Sequence, residues 1–188
     1  WTLWEPELIL ASVQTTSRDP LGEMSFMEDQ VTPPSRAYLK LWEFFTCHSP
    51  RLPRADERLI DMGACPGGWT WVMQSFGGEV IAVDKAPLEK RIADLPRVTT
   101  LTESAFGLNT ASLPQVDWFF SDIICYPAKL IELVKRWEDA GVRNFVCTLK
   151  FQGETDFEST DKFIQLFGGH AIHQHHNKHE ITWYRVEA

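Results

Sequence analysis

Four side chains able to hold or move charge, Asp61, Asp84, Asp122 and Lys150, each stand at or near the end of a short apolar run. Leu59-Ile60 leads into Asp61, and Val80-Ile81-Ala82-Val83 into Asp84. Trp118-Phe119-Phe120-Ser121 leads into Asp122, and Cys147-Thr148-Leu149 into Lys150. In open α/β sheets the carboxyl ends of the strands form the ligand crevice, so residues far apart in the chain meet at one edge. A lysine directly after a buried strand is less ordinary than one on a helix face, and a desolvated lysine amine is a useful base. Glu180 opens the last apolar stretch, Glu180-Ile181-Thr182-Trp183-Tyr184, and reaches the same edge if that strand runs antiparallel. Lys40 belongs to an early helix whose docking periodicity does not fix. Taken singly, Lys40 reads as a solvated helix lysine and Glu180 as a surface charge. Only the joint arrangement points to chemistry.

The first of these runs continues into Asp61-Met62-Gly63-Ala64-Cys65-Pro66-Gly67-Gly68-Trp69-Thr70. Glycines here allow a sharp turn and a close ligand approach, and the helix that follows offers free N–H groups. The spacing matches neither the dinucleotide fingerprint nor a P-loop. Asp61 beside the turn can bind an ammonium, which suits an amino-acid-bearing nucleoside better than a pyrophosphate. Asp84 can accept from ribose hydroxyls, as acids do at this place in nucleotide-binding sheets. The plainer alternatives are a tight strand-to-helix turn and a strand-end aspartate.

The elements that position these groups alternate regularly. Apolar runs near 59–60, 80–83, 98–101, 116–120 and 145–149 are separated by helix-like stretches at 68–76, 87–94, 127–140 and 157–167. This pattern predicts an α/β fold, a mostly parallel sheet covered by helices on both faces. Before it, Tyr38, Leu41, Trp42 and Phe45 recur at helical spacing, with Ser35 placed to cap. After Gly168-Gly169, residues 170–187 read as two antiparallel strands around a turn near Asn177-Lys178. Residues 1–34 read as an arm with little regular structure, and 35–188 as one domain.

The 188 residues suffice for one domain with a real core. The net charge of −8 is the wrong sign for gripping nucleic acid by bulk electrostatics, so an RNA substrate requires a local basic patch or a further domain. Arg18, Arg36, Lys129 and Lys178 are candidate phosphate contacts, each by default an ordinary surface charge. Eight tryptophans are core or groove filler and by themselves indicate no function. Four cysteines without a CxxC, no membrane-length apolar run and no signal pattern indicate a reduced, cytoplasmic protein. The chain starts at Trp1 without a methionine, which suggests a fragment from which an upstream domain is missing.

The stretch Pro33-Pro34-Ser35-Arg36-Ala37-Tyr38-Leu39-Lys40-Leu41, the glycine loop, Ser121-Asp122, Thr148-Leu149-Lys150 and His179-Glu180 together resemble the FtsJ-like ribose 2′-O-methyltransferases. The Ala-Cys-Pro-Gly-Gly-Trp form looks closest to the bacterial branch acting on large-subunit ribosomal RNA, whose members carry an extra N-terminal RNA-binding region. The resemblance spans about residues 33–186. It implies a Rossmann-like class I methyltransferase sheet of seven strands with an antiparallel final strand. It also implies S-adenosylmethionine as cofactor and RNA, specifically ribosomal RNA, as substrate. Its catalytic tetrad falls on Lys40, Asp122, Lys150 and Glu180. Its cofactor contacts fall on Gly63, Pro66, Gly67, Trp69, Asp84 and Asp122, to which the loop adds Asp61 and Cys65. Family members place an acid near the adenine after the third strand. This chain has Thr102-Glu103-Ser104-Ala105-Phe106, with Ser104 at the expected place and Glu103 as substitute candidate.

Three rival readings remain. An NAD-linked reductase would use a similar sheet and an acid like Asp84, but the glycine spacing argues against it. A non-catalytic RNA-binding or scaffolding domain would keep the fold without transferring methyl groups. His170, His173, His175, His176 and His179 crowd the tail, yet strand alternation divides them between faces, which favours a structural or surface role over a metal site.

Overall fold

A computed structural model of the protein describes residues 1–14 and 25–187. A hairpin of β1 (Thr2–Glu5) and β2 (Leu8–Leu10) comes first, its side chains exposed. The arm is therefore more regular than its proline-punctuated sequence suggests. Pro6 falls in the two-residue turn, where a preset φ favours reversal rather than preventing strands on either side.

α1 (Tyr38–Cys47) follows, then β3 (Arg58–Met62), α2 (Gly68–Ser75), β4 (Glu79–Asp84), α3 (Lys90–Ala93), β5 (Val98–Thr102) and β6 (Trp118–Ser121). The chain continues through α4 (Pro127–Asp139), β7 (Asn144–Lys150), α5 (Phe157–Phe167), β8 (His170–Ile172) and β9 (Glu180–Arg185). Seven strands make one sheet in the order β5-β4-β3-β6-β7-β9-β8. β3 to β7 are mutually parallel, and β9 runs antiparallel to both neighbours. The seven-stranded, mostly parallel sheet and its antiparallel last strand agree with expectation. Strand order reverses at β3, which has β4 on one side and β6 on the other, so the crevice opens at the carboxyl ends of these three strands.

Alternation along the central strands fills both faces. Trp118, Phe120 and Val146 pack with Leu39, Leu41 and Phe44 of α1 and Val72 and Met73 of α2. Phe119, Phe145 and Cys147 pack on the other side with Leu130, Leu133 and Val134 of α4 and Phe163 of α5. Strands buried on both faces must be near-continuously apolar, which is why they were conspicuous in the sequence.

Two local expectations fail. Ser35 does not cap α1. The helix starts at Tyr38 behind Ala37, and its first amides donate to Ser35, Arg36 and Ala37 carbonyls in a tight turn. That backbone turn already satisfies the orphan donors a side-chain cap would serve. The stretch 87–94 supplies only the single turn α3, since its closing residues run into Leu95-Pro96, where proline disfavours helix.

Trp183 fixes β9 and hence the place of Glu180. Its indole is fully buried against Phe145, Phe163 and Phe167, and its Nε1–H donates to the Gly168 carbonyl at 2.9 Å. Trp183→Ala is expected to cost about 3–5 kcal/mol in urea unfolding; a loss below about 1 kcal/mol would show that β9 is held by other contacts.

Candidate active site

Three strand ends and one helix converge on a single ionic network. Lys40 projects from the first turn of α1, Asp122 follows β6, Lys150 ends β7, and Glu180 starts β9 as the direct cross-strand partner of Lys150. The Lys40 Nζ donates to Asp122 Oδ1 and Oδ2 at 2.7 and 2.8 Å and to Glu180 Oε1 at 2.9 Å. The Lys150 Nζ donates to the Asp122 backbone carbonyl at 2.7 Å and lies 3.0 Å from Asp122 Oδ1. An ammonium has three protons. Lys40 has an acceptor for each, whereas Lys150 has a position left over. Burial alone would raise the Asp122 carboxyl, but the facing Lys40 and Lys150 charges and the hydrogen bonds from Lys40 and Thr148 hold it below its ordinary value.

The docking of Lys40, unplaced by periodicity, is thus decided by charge as well as by packing. α1 buries Leu39, Leu41 and Phe44 on the sheet, which carries Lys40 inward to 8% exposure. A lysine that deep requires paired carboxylates.

Several supporting residues were not anticipated. Thr148 Oγ1 donates to Asp122 Oδ1 at 2.6 Å, Gln174 Nε2 to the Lys40 carbonyl at 2.9 Å and Asn177 Nδ2 to Glu180 Oε1 at 3.4 Å. Glu43, buried one turn after Lys40, accepts from the His175 and His176 amides and pairs with His176 Nδ1. Thr148 was findable, being two residues before Lys150 on the same face of a strand. Glu43 was also findable, three residues from Lys40 on one helix face. Gln174 and Asn177 sit in an irregular loop that no periodicity marks.

The glycine turn adjoins this network. Gly63 has φ +78°, and a Cβ there would lie 2.6 Å from Ile123 Cγ1, next to Asp122. Gly67 has φ +116°, and a Cβ there would lie 2.7 Å from Ile92 Cγ2. The backbone path thus requires glycine at both positions. Cys65 and the exposed Pro66, joined by a cis peptide, form the crest between them. Asp84 ends β4 half-buried, accepting from the Cys65 and Ala86 amides at 3.0 and 2.9 Å. A carboxylate has about four acceptor positions, so room remains for ribose hydroxyls. Glu103 is exposed and Ser104 half-buried just past β5; the Glu103 amide donates to the Asp84 carbonyl, placing both beside Asp84.

Two residues of the loop are buried. Trp69 is only 4% exposed, its Nε1–H donating to the Ala37 carbonyl at 2.9 Å, so its ring ties the start of α1 to the glycine turn. Asp61 lies deeper than the crest of the turn. It is fully buried beneath the turn, with Oδ2 accepting from Thr70 Oγ1 at 2.7 Å and Oδ1 without a protein partner. Its position on β3, one residue before the strand ends, puts it inside the sheet rather than on the rim. The Ser35 Oγ, against Gly68, is a second buried oxygen without a partner at this turn. Two unsatisfied oxygens beside a glycine turn and an acid at the next strand end fit an amino-acid-bearing nucleoside such as S-adenosylmethionine.

Next to the network a cleft of about 950 Å³ opens, lined by Lys40, Lys150, Glu180, Phe151 and the loop 175–179. Of the candidate phosphate contacts, Arg36 and Lys178 also line it; Lys129 is exposed on α4, and Arg18 lies outside the described residues. Arg36 is paired with Glu28 at 2.6 Å. Among the described residues no group of three or more His, Cys, Asp or Glu could hold a metal ion, and no helix is long and apolar enough to cross a membrane.

Burial, reinforced by the nearby Asp122 charge, pushes the Asp61 carboxyl up to about 7 from an ordinary 3.8, against the opposing Thr70 hydrogen bond. A folded-state value above the unfolded one favours folding at low pH and loses that contribution as pH rises. The unfolding free energy of the cofactor-free protein, compared with that of Asp61→Asn, is therefore expected to fall between pH 3.8 and about 7. A flat difference across that window, from denaturant melts at matched pH, would show that Asp61 is ionised throughout.

Comparison with known proteins supplies the family. The description FtsJ-like methyltransferase matches residues 33–166. Ribosomal RNA large subunit methyltransferase M of Halorhodospira halophila is 32% identical over 160 residues, covering 80% of this chain and 46% of that protein. The same-named protein of Pseudomonas fluorescens is 32% identical over 165 residues, covering 83% and 44%. The chain thus spans about half the length of the curated relatives it matches. Among solved structures, a chain of a fibrillarin/Nop5p complex shares the fold with a TM-score of 0.62 at 16% identity, covering 79% of this chain and 81% of that one. With Lys40, the glycine turn, Asp122 and Lys150 inside the matched span, the chain belongs to the FtsJ-like methyltransferase family.

Proposed function

We propose that this protein transfers the methyl group of S-adenosylmethionine to a ribose 2′-hydroxyl of RNA, with ribosomal RNA as the substrate class and the cytoplasm as its place of action. The observation that carries the reading is the position of the Lys40–Asp122–Lys150–Glu180 network beside both the glycine turn and the cleft. The turn touches the network through Ile123, and the cleft exposes Lys150 and Glu180. The names of the ribosomal RNA methyltransferase relatives support the substrate class.

Gly63, Cys65, Pro66 and Gly67 would shape the cofactor's seat. Asp84 would take the ribose hydroxyls, Glu103 or Ser104 would flank the adenine, and Asp61 and Ser35 would receive donors from the amino-acid end. Bound there, the cofactor supplies an electrophilic methyl carbon on a sulfonium. The protein's own task is to orient the acceptor hydroxyl and accept its proton. Lys150 in its neutral form suits that role, because Asp122 engages only two positions on its Nζ and the third is left for the lone pair that takes the proton. Lys40 cannot take it without releasing one of its three acceptors. Asp122 orients both amines, and Glu180 balances the charge of Lys40 so that Asp122 remains available to Lys150. The fixed ammonium of Lys40 and its neighbours are already oriented toward the charge that develops on the oxygen, so little reorganisation is needed.

An acidic chain holds RNA weakly by itself. A further RNA-binding region is part of this proposal, and the curated relatives have unmatched length to contain one.

Lys150→Ala is expected to lower methyl transfer by about 100-fold or more, while affinity for S-adenosylhomocysteine stays near wild type. The assay is transfer of radiolabelled methyl groups to total RNA from a strain lacking the enzyme, followed by mapping of the labelled ribose. Comparable turnover in the variant removes Lys150 from the mechanism. Label on a base or in protein removes ribose methylation.

A further inference from the structure

The loop joining β8 to β9 lies against the active site and has no part in the chemistry above. It is held firmly. Glu43 takes three donors from His175 and His176, Gln174 reaches the Lys40 carbonyl, and Asn177 Oδ1 accepts from the Gln174 amide at 2.8 Å. At its end His179 immediately precedes Glu180, as Phe151 immediately follows Lys150. The Phe151 amide donates to the His179 carbonyl at 3.2 Å, so strand pairing runs one residue beyond the Lys150–Glu180 pair. The two rings have centroids 5.4 Å apart. Phe151 is buried at 8% exposure, whereas His179 is exposed, with its Nε2 3.0 Å from Thr155 Oγ1. Both residues line the cleft into which Lys150 and Glu180 open.

An exposed ring braced by a buried ring inclined at 59° to it, and held through its Nε2 by Thr155, is a stacking surface for a base. Its position is appropriate. His179 and Phe151 are the chain neighbours of the paired Glu180 and Lys150 and line the same cleft, and a base is joined to the ribose carbon next to the one bearing the reactive hydroxyl. Its chemistry is appropriate too. Stacking requires no positive charge, and this chain carries a net charge of −8.

We propose that His179, backed by Phe151, is the platform on which the base of the acceptor nucleotide stacks. The site therefore takes an unpaired, unstacked nucleotide and not one within a duplex. This rests on ribose methylation of RNA as the reaction. His176 and Lys178 on the same loop border the path of the neighbouring phosphates. Stacking of this kind tolerates any base, so the platform selects strandedness rather than sequence.

The test is fluorescence anisotropy with a labelled, unstructured RNA of about ten nucleotides, as a single strand and as its duplex. The single strand is expected to bind more tightly. His179→Ala should weaken it about fivefold or more and leave the duplex unaffected. His179→Phe keeps a ring but loses the Thr155 contact, and it should restore most of the affinity. Lys135→Ala, which removes a positive charge from the exposed side of α4, should leave binding unchanged. Wild-type affinity in His179→Ala, or equal weakness in His179→Phe, overturns the platform. Wild-type methyl transfer to RNA beside such a result removes the platform alone. Binding through His179 with no transfer by the wild type removes the reaction on which it rests.

Discussion

The carboxylate of Asp122 is held in a largely desolvated position between two lysines that approach from opposite parts of the chain. Charges taken out of water are costly unless each finds a partner. Lys40 and Glu180 lie 140 residues apart, yet each needs the other to be buried where it is. α1 must therefore dock on the side of the sheet that presents Asp122, and β9 must insert beside β7 in the register that sets Glu180 against Lys150. Removing any one member leaves a buried charge uncompensated. The network thus binds the helix, the central strands and the antiparallel edge into one arrangement, and the same arrangement leaves a single amine position facing the cleft.

The glycine turn solves a different problem with uncharged means. Its backbone passes so near Ile123 and Ile92 that side chains are excluded at Gly63 and Gly67, and this packs the turn against the segment carrying Asp122. A ligand seated on the turn therefore lies next to the network. Asp61 belongs to this inner layer. Its carboxyl ties β3 to α2 through Thr70 and shares the negative environment of Asp122, so the turn and the network are coupled electrostatically as well as sterically.

Charge is distributed unevenly over the molecule. The chain as a whole is acidic, yet the cleft wall gathers Arg36, Lys178 and three histidines beside the two active-site lysines, against two acids, Glu28 paired with Arg36 and Glu180 paired with Lys40. Glu43 spends its carboxylate inward, on the amides and imidazole of the histidine loop, and so adds no negative charge to the cleft surface. Local arrangement of this kind can favour a polyanion where net charge opposes one.

Much of the fold was legible because strands buried on both faces leave unbroken apolar runs, and amphipathic helices between them leave a 3.6-residue period. The runs at Val80–Val83 and Phe145–Leu149 needed no tertiary information, and the aspartates and lysine at the strand ends followed from the edge rule. Asp61 stands near the end of its strand as the sequence implied, but a sequence shows the order of a strand and its turn and not how deeply a side chain there is buried. Trp69 falls among the cofactor contacts that the resemblance implies, while the arrival of α1 on its ring is a long-range event. The hairpin at Thr2–Leu10 was missed because proline spacing resembles an irregular arm until the strands are seen to pair.

The sequence alone determined which groups could take part, for residue type and local periodicity are written in neighbouring positions. It also determined that most of them would share one edge, since parallel strands end together. Only the tertiary structure decided that Lys40 would spend its three protons on two carboxylates while Lys150 kept one position free. It alone also decided that Glu43 and Gln174 would fasten a histidine loop beside them. Those outcomes depend on helix docking and strand register, which are set by competition among contacts distant in the chain and leave no mark on any short stretch of it.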